Sequence, residues 1–354
     1  MEMVNVLIVD DSPVARQLIE YILSRDPDIR VIGTAKDGEE AIRAVRDKKP
    51  DLVTMDINMP KMNGFDATRT IMETNPVPII IITGSENLHD VATSFQALNA
   101  GAVTLMSRPP GVEHPEFAKE AKVLVDAVKT YADIKLVRRV PGLRTGSAST
   151  TYLKAESVIE PLGDGAQIVA IGASTGGPIV IQKLLSGLKK KFPLPLVIVQ
   201  HMTPGFSKGF AEWLQGTTEI PIHIAADGEY LLPGHAYIAA DGYQMGVAAG
   251  NRIALANAPP ENGLRPSVSF LFRSVLQLYG SRSIALLLTG MGRDGAEELK
   301  SLKDHGALTI VQDEQSSVVH GMPGEAIKLG AAMYVLSPEK IVDSLNEIAN
   351  DRRE

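Results

Sequence analysis

The sequence predicts two α/β domains, each with a doubly wound, mostly parallel sheet that helices cover on both faces. Three observations predict this architecture. The chain has 354 residues, enough for two or three domains of ordinary size. In both halves, short apolar runs rich in β-branched residues alternate with amphipathic stretches, a pattern typical of βαβ units. The alternation stops at 137–166, where Gly, Ser, Thr and Pro dominate, and this break predicts a linker between domains at 1–136 and 167–354.

Five strands are predicted in the first domain, and the middle ones are nearly all apolar, as strands covered on both faces should be. Their ranges are 4–9, 29–34, 52–55, 78–82 and 102–106. The first helix follows Ser12, a capping residue, and begins with a proline; Val14, Leu18 and Ile22 then recur at four-residue spacing. The last helix is predicted from about residue 115 to 137.

The second domain resumes the alternation with four apolar strand candidates, QIVAIGAS, PLVIVQH, HAYIAA and SIALLLTG. Their spacing, with helical stretches in between, favours a second α/β sheet. Between 237 and 255 the segments become short, Gly-rich and alternating, which predicts an antiparallel hairpin at the edge of that sheet.

The composition excludes several classes of protein. Asp and Glu outnumber Lys and Arg by 42 to 35, and the net charge of -7 disfavours binding to nucleic acid or to an anionic membrane. The sequence has no cysteine, which excludes a disulfide scaffold, a cysteine zinc site and a thiol nucleophile. The first residues lack a basic stretch before the apolar run, and no apolar run is long enough to span a membrane. We therefore expect a cytoplasmic protein that is neither exported nor inserted in a membrane.

Polar residues follow the predicted strands of the first domain. They are Asp10, Asp11, Asp56, Thr83 and Arg108. Because ligands of an open parallel sheet bind beyond the carboxyl ends of its strands, we expect these side chains to meet. Three converging carboxylates repel one another, and a hard divalent cation such as Mg²⁺ relieves that repulsion. With the cation bound, Asp56 can attack a phosphoryl group while Arg108 helps to neutralise the transferred oxygens.

A serine, a histidine and an aspartate follow strands of the second domain. Gly172-Ala-Ser174-Thr-Gly176 fits the pattern G-x-S-x-G, whose glycines permit the tight turn that exposes a nucleophilic hydroxyl. Gly-rich turns also hold phosphates, so the pattern alone leaves both interpretations open. A serine nucleophile needs a base, and His201 is the best placed of the seven histidines because it ends the next strand. Asp294, in the Gly-rich turn after a further strand, is placed to orient the imidazole.

Four motifs of the first domain together closely resemble the receiver domain of two-component response regulators, over about residues 3 to 130. They are VLIVDDSP, MDINMPKMNG, IIITGS and GAVTLMSRPPG. The resemblance implies a flavodoxin-like fold with Asp56 as the phosphoacceptor and Thr83 as the switch hydroxyl. It also implies a Mg²⁺ site made by the side chains of Asp11 and Asp56 and the backbone carbonyl of Asn58, with Asp10 nearby.

Two positions depart from the receiver pattern. Arg108 stands where the family has lysine, and a broad planar guanidinium does not replace a compact ammonium. We therefore expect phosphorylation with an altered rate or lifetime. Leu105 stands where the family usually has an aromatic residue, so the usual rotation of a ring toward Thr83 is not expected.

The motifs of the second domain resemble the catalytic domain of the chemotaxis methylesterase family, CheB, and the order of receiver, linker and esterase matches over nearly the whole chain. These motifs are GASTGGP, QHM with Pro204 and Gly205, PGHAYIAA, RPSV and LTGMGRDGA. The resemblance implies a Rossmann-like domain with Ser174 as nucleophile, His201 as general base and then acid, and Asp294 as its orienter. It further implies that Thr175 supports the site and that the backbone amide of Met291 contributes to the oxyanion hole.

The implied function is hydrolysis of glutamate γ-methyl esters on the cytoplasmic helices of chemoreceptors, with release of methanol. The same acyl intermediate permits deamidation of receptor glutamines. The implied partners are the methylated receptor and a histidine kinase of the chemotaxis type, with Mg²⁺ at the receiver and no cofactor at the esterase. Because a fused control domain must act on something, we also predict that the unphosphorylated receiver covers the esterase site.

Three other functions are compatible with parts of the sequence. A nucleotide-binding module is disfavoured because Gly172, Gly176 and Gly177 do not fit G-x-G-x-x-G. A DNA-binding regulator is disfavoured because the second half is not a short basic helical module. A catalytically silent receiver-linked regulatory or scaffold protein stays open, because motif residues do not determine the distances between them.

Overall fold

The computed structural model of the chain describes residues 3–84, 95, 97–132 and 165–351. A five-stranded sheet organises the first of its two α/β units. Its strands are β1 (Val4–Val9), β2 (Ile29–Ala35), β3 (Leu52–Met55), β4 (Ile79–Thr83) and β5 (Thr104–Ser107). They pair in parallel in the order β2-β1-β3-β4-β5, which is the flavodoxin-like order. All five predicted strands are confirmed, although β4 begins one residue and β5 two residues later than predicted.

Helices cover both faces of this sheet. They are α1 (Pro13–Leu23), α2 (Gly38–Lys48), α3 (Gly64–Thr74) and α4 (Phe117–Ala132). Ser12 caps α1 as predicted, since its hydroxyl accepts a hydrogen bond from the amide of Ala15. The predicted buried stripe of α1 is partly wrong, because Val14 is 75% exposed while Ala15, Ile19 and Ile22 are buried. Residues four apart advance by about 40° around a helix, so Val14 lies off the buried face.

A seven-stranded parallel sheet organises the second unit. Its strands are β6 (Ile168–Ala173), β7 (Leu196–Gln200), β8 (Ile222–Ile224), β9 (Ala236–Ile238), β12 (Ser283–Leu287), β13 (Leu308–Gln312) and β14 (Tyr334–Leu336). They lie in the order β14-β13-β12-β6-β7-β9-β8. The flanking helices are α5 (Gly177–Gly187), α6 (Ser207–Thr217), α7 (Val268–Leu278), α8 (Ala296–Asp304), α9 (Gly321–Lys328) and α10 (Pro338–Asp351).

The predicted hairpin is present and antiparallel. It consists of β10 (Gln244–Ala248) and β11 (Arg252–Ala256), which pair with each other as a separate two-stranded sheet. The position at the edge of the main sheet was wrong, and Tyr237 lies in β9 of the main sheet rather than in the hairpin. The hairpin packs instead on α7, where the hydroxyl of Ser274 accepts a hydrogen bond from the amide of Val247.

The strand order of each sheet reverses near its centre, and such reversals open a crevice at the carboxyl ends of the strands. In the first sheet the reversal lies between β1 and β3, and in the second it lies between β6 and β12. The residues that follow these strands include Asp10, Asp56 and Ser174. The fold therefore places the predicted site residues at the two crevices.

The two units share a packed boundary. Phe95 of the first unit stacks on Trp213 of α6 with 5.5 Å between ring centroids, and it lies 5.3 Å from the ring of Phe210. The hydroxyl of Tyr131, near the end of α4, lies 2.8 Å from the hydroxyl of Thr175. Most of the predicted linker, 137–164, lies outside the described residues. No helix in the described part of the chain is long and apolar enough to cross a membrane.

Candidate active site and acidic pocket

Ser174 lies in a tight turn between β6 and α5. Its amide donates a hydrogen bond to the carbonyl of Thr289 (3.0 Å), and its own carbonyl accepts one from the amide of Gly177 (2.8 Å). Gly176 adopts a left-handed conformation with φ of 78°, and a Cβ there would lie 2.6 Å from the side chain of Val318. Glycine is therefore required for the turn, which presents the serine at the N-terminus of α5.

His201 and Asp294 form a nearly buried pair beside this turn. His201 directly follows β7, the strand that pairs with β6. Its Nε2 lies 2.9 Å from Oδ2 of Asp294, and the two side chains are only 9% and 3% exposed. Because Nε2 is engaged by the carboxylate, Nδ1 is the ring nitrogen left for the nucleophile. Within the described residues no hydrogen bond joins His201 to the hydroxyl of Ser174, and such links often form only when substrate binds.

The start of α7 holds the carboxylate of Asp294. The amides of Val268 (2.6 Å) and Ser269 (3.1 Å) and the hydroxyl of Ser267 (3.1 Å) all donate hydrogen bonds to it. Burial acts to raise the pKa of Asp294, but the hydrogen bonds from His201 and the α7 residues outweigh it and lower the pKa to about 2. Asp294 is thus ionised at neutral pH and stabilises a positive charge on the imidazole.

Thr175 and Met291 lie near Ser174. Thr175 is 8% exposed, and its carbonyl accepts a hydrogen bond from the hydroxyl of Thr289 (2.9 Å). Met291 is exposed and follows Gly290, where a Cβ would lie 2.7 Å from Cβ of Ser174. Among the described residues, no partner accepts a hydrogen bond from the amide of Met291. A backbone amide near Ser174 that has no acceptor among the described residues is suited to bind an oxyanion.

The acidic side chains of the first unit converge as predicted. Asp10, Asp11 and Asp56 each offer an oxygen, and these oxygens all lie within 4.8 Å of one another. Burial and the charge of Asp10 raise the pKa of Asp56 to about 6, although Arg108 acts in the opposite direction. Clustered carboxylate oxygens fit a hard divalent cation such as Mg²⁺. Asn58 lies on the exposed loop that follows Asp56.

Arg108 reaches into this pocket. Its Nη2 lies 2.7 Å from Oδ2 of Asp10 and 3.5 Å from Oδ1 of Asp56. A Cβ at Gly84 would lie 2.8 Å from Nη1, so the glycine leaves room for the guanidinium. Thr83 ends β4 and is buried, and its carbonyl accepts a hydrogen bond from the amide of Arg108 (2.8 Å). The side chains of Asp10, Asp11 and Arg108 are thus brought together around Asp56.

A cavity of about 1160 Å³ lies between the two units and reaches Ser174 and His201. Its other wall is made by the first unit, with Phe95, Leu105 and Tyr131. Leu105 therefore lines the same cavity as Ser174 and His201, on its opposite wall.

Four further residues contribute to the site without having been predicted from the sequence. Ser267 and Ser269 hold Asp294; the motif RPSV contains Ser267 and ends one residue before Ser269. Gln200, beside His201 in the sequence, donates hydrogen bonds to the carbonyls of Ser174 and His201. Tyr131 contacts Thr175 across the domain boundary. No local sequence pattern signals the roles of Gln200 and Tyr131.

Comparisons with known proteins give concordant matches. A family model described as CheB methylesterase matches residues 169–345, and one described as response regulator receiver domain matches residues 6–114. The chain is 54% identical to protein-glutamate methylesterase/protein-glutamine glutaminase 4 of Geobacter metallireducens, over 99% of this chain and 100% of the relative. A protein-glutamate methylesterase/protein-glutamine glutaminase of Nitrosospira multiformis is 51% identical, with 99% of each chain covered. The crystal structure of the Thermotoga maritima CheB methylesterase catalytic domain is similar with a TM-score of 0.51 and 40% identity, covering 52% of this chain and 99% of that chain.

Proposed function

The chain belongs to the CheB methylesterase family, and we propose that it is a phosphorylation-regulated serine esterase. Its substrates are glutamate γ-methyl esters on the cytoplasmic helices of chemoreceptors, and its products are glutamate and methanol. The observation that carries this proposal is the nearly buried pair of His201 and Asp294, 2.9 Å apart, with His201 directly after β7, the strand that pairs with the strand before Ser174. Residues 167–354 form the catalytic domain, 137–166 the linker and 1–136 the receiver.

The reaction proceeds by two acyl transfers. Ser174 attacks the ester carbonyl while Nδ1 of His201 takes its proton, since Nε2 is held by Asp294. The developing oxyanion binds the amide of Met291, and Thr175 supports the turn that carries the nucleophile. His201 then gives its proton to the methoxy oxygen, so the C–O bond breaks and methanol leaves. A water molecule, deprotonated by His201, hydrolyses the glutamyl ester and regenerates Ser174.

The same site deamidates receptor glutamines. An amide carbonyl accepts the attack of Ser174 as an ester does. His201 then gives its proton to the amide nitrogen, so the C–N bond breaks and ammonia leaves in place of methanol. Both substrates give the same glutamyl-enzyme intermediate, and its hydrolysis leaves a glutamate on the receptor in both cases.

The first domain is a receiver that a histidine kinase of the chemotaxis type phosphorylates on Asp56. Asp11, Asp56 and the backbone carbonyl of Asn58 would hold a Mg²⁺ ion, with Asp10 beside it. The cation would supply positive charge opposite the phosphoryl oxygens. The guanidinium of Arg108, 2.7 Å from Asp10, adds a second positive charge, and the hydroxyl of Thr83 serves as the switch.

The unphosphorylated receiver restrains the esterase through the contacts between the two domains. The hydroxyl of Tyr131 lies 2.8 Å from Thr175, the residue after the nucleophile. Phe95 stacks on Trp213 at the other side of the cavity. Phosphorylation loosens these contacts and admits a receptor helix to Ser174.

Methanol release from a methylated receptor fragment tests this function. We expect release by the wild type, an increase with a small phosphodonor and Mg²⁺, and loss of release in Ser174→Ala. A rate of methanol release that does not change with the phosphodonor would support the esterase activity and overturn the proposed control by phosphorylation of Asp56. If the wild type releases no methanol under any condition and Ser174→Ala keeps its effects in cells, the protein is instead a catalytically silent regulatory or scaffold protein.

A further inference from the structure

Gln200 connects the main chains of the nucleophile and the base. It is the last residue of β7 and is only 4% exposed. Its Nε2 donates one hydrogen bond to the carbonyl of Ser174 and another to the carbonyl of His201, each 2.8 Å long. A single amide nitrogen therefore bridges the turn after β6 and the end of β7.

The orientation of this amide follows from its partners. A side-chain amide nitrogen carries two hydrogens, and here each hydrogen has its own carbonyl. The reversed amide would place Oε1 against two carbonyl oxygens, which have no hydrogen to donate. Both donors of Gln200 are thus committed to the main chain of the two catalytic residues.

The other end of the amide has no partner. Oε1 of Gln200 is buried and accepts no hydrogen bond from any described residue. A buried acceptor without a donor destabilises the folded state, so such an atom in a native protein calls for an explanation. Gly177 makes room for Oε1, because a Cβ at that position would collide with it. The fold thus accommodates a glutamine whose donors are used and whose acceptor is not.

We propose that Gln200 is a positioning residue that fixes the main chain of Ser174 relative to that of His201. The proposal rests on the esterase function proposed above. Ser174 and His201 follow neighbouring strands, and within the described residues no hydrogen bond joins their side chains. The hydrogen bonds of Gln200 therefore set the distance between the hydroxyl of Ser174 and the imidazole of His201, across which the proton is transferred. A displacement of about 1 Å between reacting groups can reduce a rate by about 100-fold.

Two substitutions in the full-length protein test the proposal. Gln200→Met keeps the length of the side chain and removes both donors. With phosphodonor and Mg²⁺ present, we expect kcat for methanol release to fall about 10- to 100-fold while KM changes by less than about 2-fold. The rate of labelling of Ser174 by a small fluorophosphonate, which needs no receptor, falls in parallel.

Gln200→Glu gives an independent readout through its pH profile. A buried carboxyl facing two carbonyls is destabilised as an anion, so its pKa is raised, and its protonated form regains one donor. We expect kcat of this variant, relative to the wild type at each pH, to rise as the pH falls. A merely structural role for Gln200 predicts a ratio that is flat with pH. This variant also keeps the test available if Gln200→Met does not fold.

Thr309→Val is the matched control. Thr309 is fully buried on β13 of the same sheet, and its hydroxyl donates a hydrogen bond to the carbonyl of Ala331 (2.7 Å). This variant should lower the Tm without lowering kcat or the labelling rate. The proposal is overturned if Gln200→Met keeps the kcat and labelling rate of Thr309→Val. Wild-type protein that is labelled on Ser174 but releases no methanol would instead count against the proposed substrate, and the labelling rates would still test Gln200.

Discussion

The contact between Tyr131 and Thr175 makes a quantitative prediction about control of the esterase. Tyr131 lies in the first unit and Thr175 in the turn that carries Ser174, and both residues are 8% exposed. Their hydroxyl oxygens lie 2.8 Å apart. Tyr131→Phe removes one hydroxyl and keeps the ring that fills the domain boundary. The substitution therefore weakens the closed arrangement without changing its shape.

The size of the effect follows from the energy of one hydrogen bond. A buried hydrogen bond between neutral groups contributes about 0.5–1.5 kcal/mol to the state in which it forms. Losing it from the closed arrangement alone raises the open population by about 2- to 12-fold, since RT is about 0.6 kcal/mol. We expect methanol release without phosphodonor to rise by that factor. Release with phosphodonor and Mg²⁺ should equal that of the wild type, because the contact is already broken.

The assay compares initial rates of methanol release for the wild type, Tyr131→Phe and Tyr21→Phe. Tyr21 is the control because the hydrogen bond of its hydroxyl is to Arg25 of the same unit. Tyr21→Phe should leave both rates unchanged. If Tyr131→Phe had the same unphosphorylated rate as the wild type, this contact would not restrain the esterase.

Three further predictions concern the domain boundary, the orienting carboxylate and the nucleophile turn. Phe95→Ala removes the ring stacked on Trp213, so the rate of methanol release without phosphodonor should rise. The fluorescence emission of Trp213, the single tryptophan, should shift to the red, and an unchanged spectrum would contradict the stacking. The pKa of Asp294 is lowered from 3.8 to about 2 in the folded protein. The ionised carboxylate therefore adds about 2 kcal/mol to the free energy of unfolding above pH 4, and this contribution is lost as the pH falls from 4 to 2. Urea unfolding at several pH values should show a shallower acid decline in Asp294→Asn, and an equal decline would refute the assignment. Gly177→Ala should lower kcat with little change in KM, because the added methyl displaces Gln200; kinetics like those of the wild type would show that the turn tolerates the methyl.

Most of the fold was predictable because the signals are local. Strands buried on both faces are apolar over their whole length, and Ser12 before a proline marks the start of α1. The four-residue spacing of apolar residues did not identify the buried face of α1 correctly, because Val14 is exposed. The hairpin was predicted from alternation alone, and its separation from the main sheet depends on packing against α7.

The sequence by itself determined which residues stand at the carboxyl ends of the strands. Ser174, His201 and Asp56 each follow an apolar strand, and in a parallel sheet strand ends meet at one edge whatever the rest of the fold does. The pattern of these residues, with the motifs around them, was enough to indicate an esterase joined to a receiver.

Only the tertiary structure decided how those residues are connected. It assigned Nε2 of His201 to Asp294, 93 positions away, and brought Tyr131 to Thr175 across 44 positions and a domain boundary. It also directed both donors of Gln200 to the main chains of Ser174 and His201. A hydrogen bond forms only when donor and acceptor atoms lie within a few tenths of an ångström of the ideal distance and the donor points at the acceptor. That direction is set by the packing of elements distant in the sequence, and no local pattern of residues encodes it.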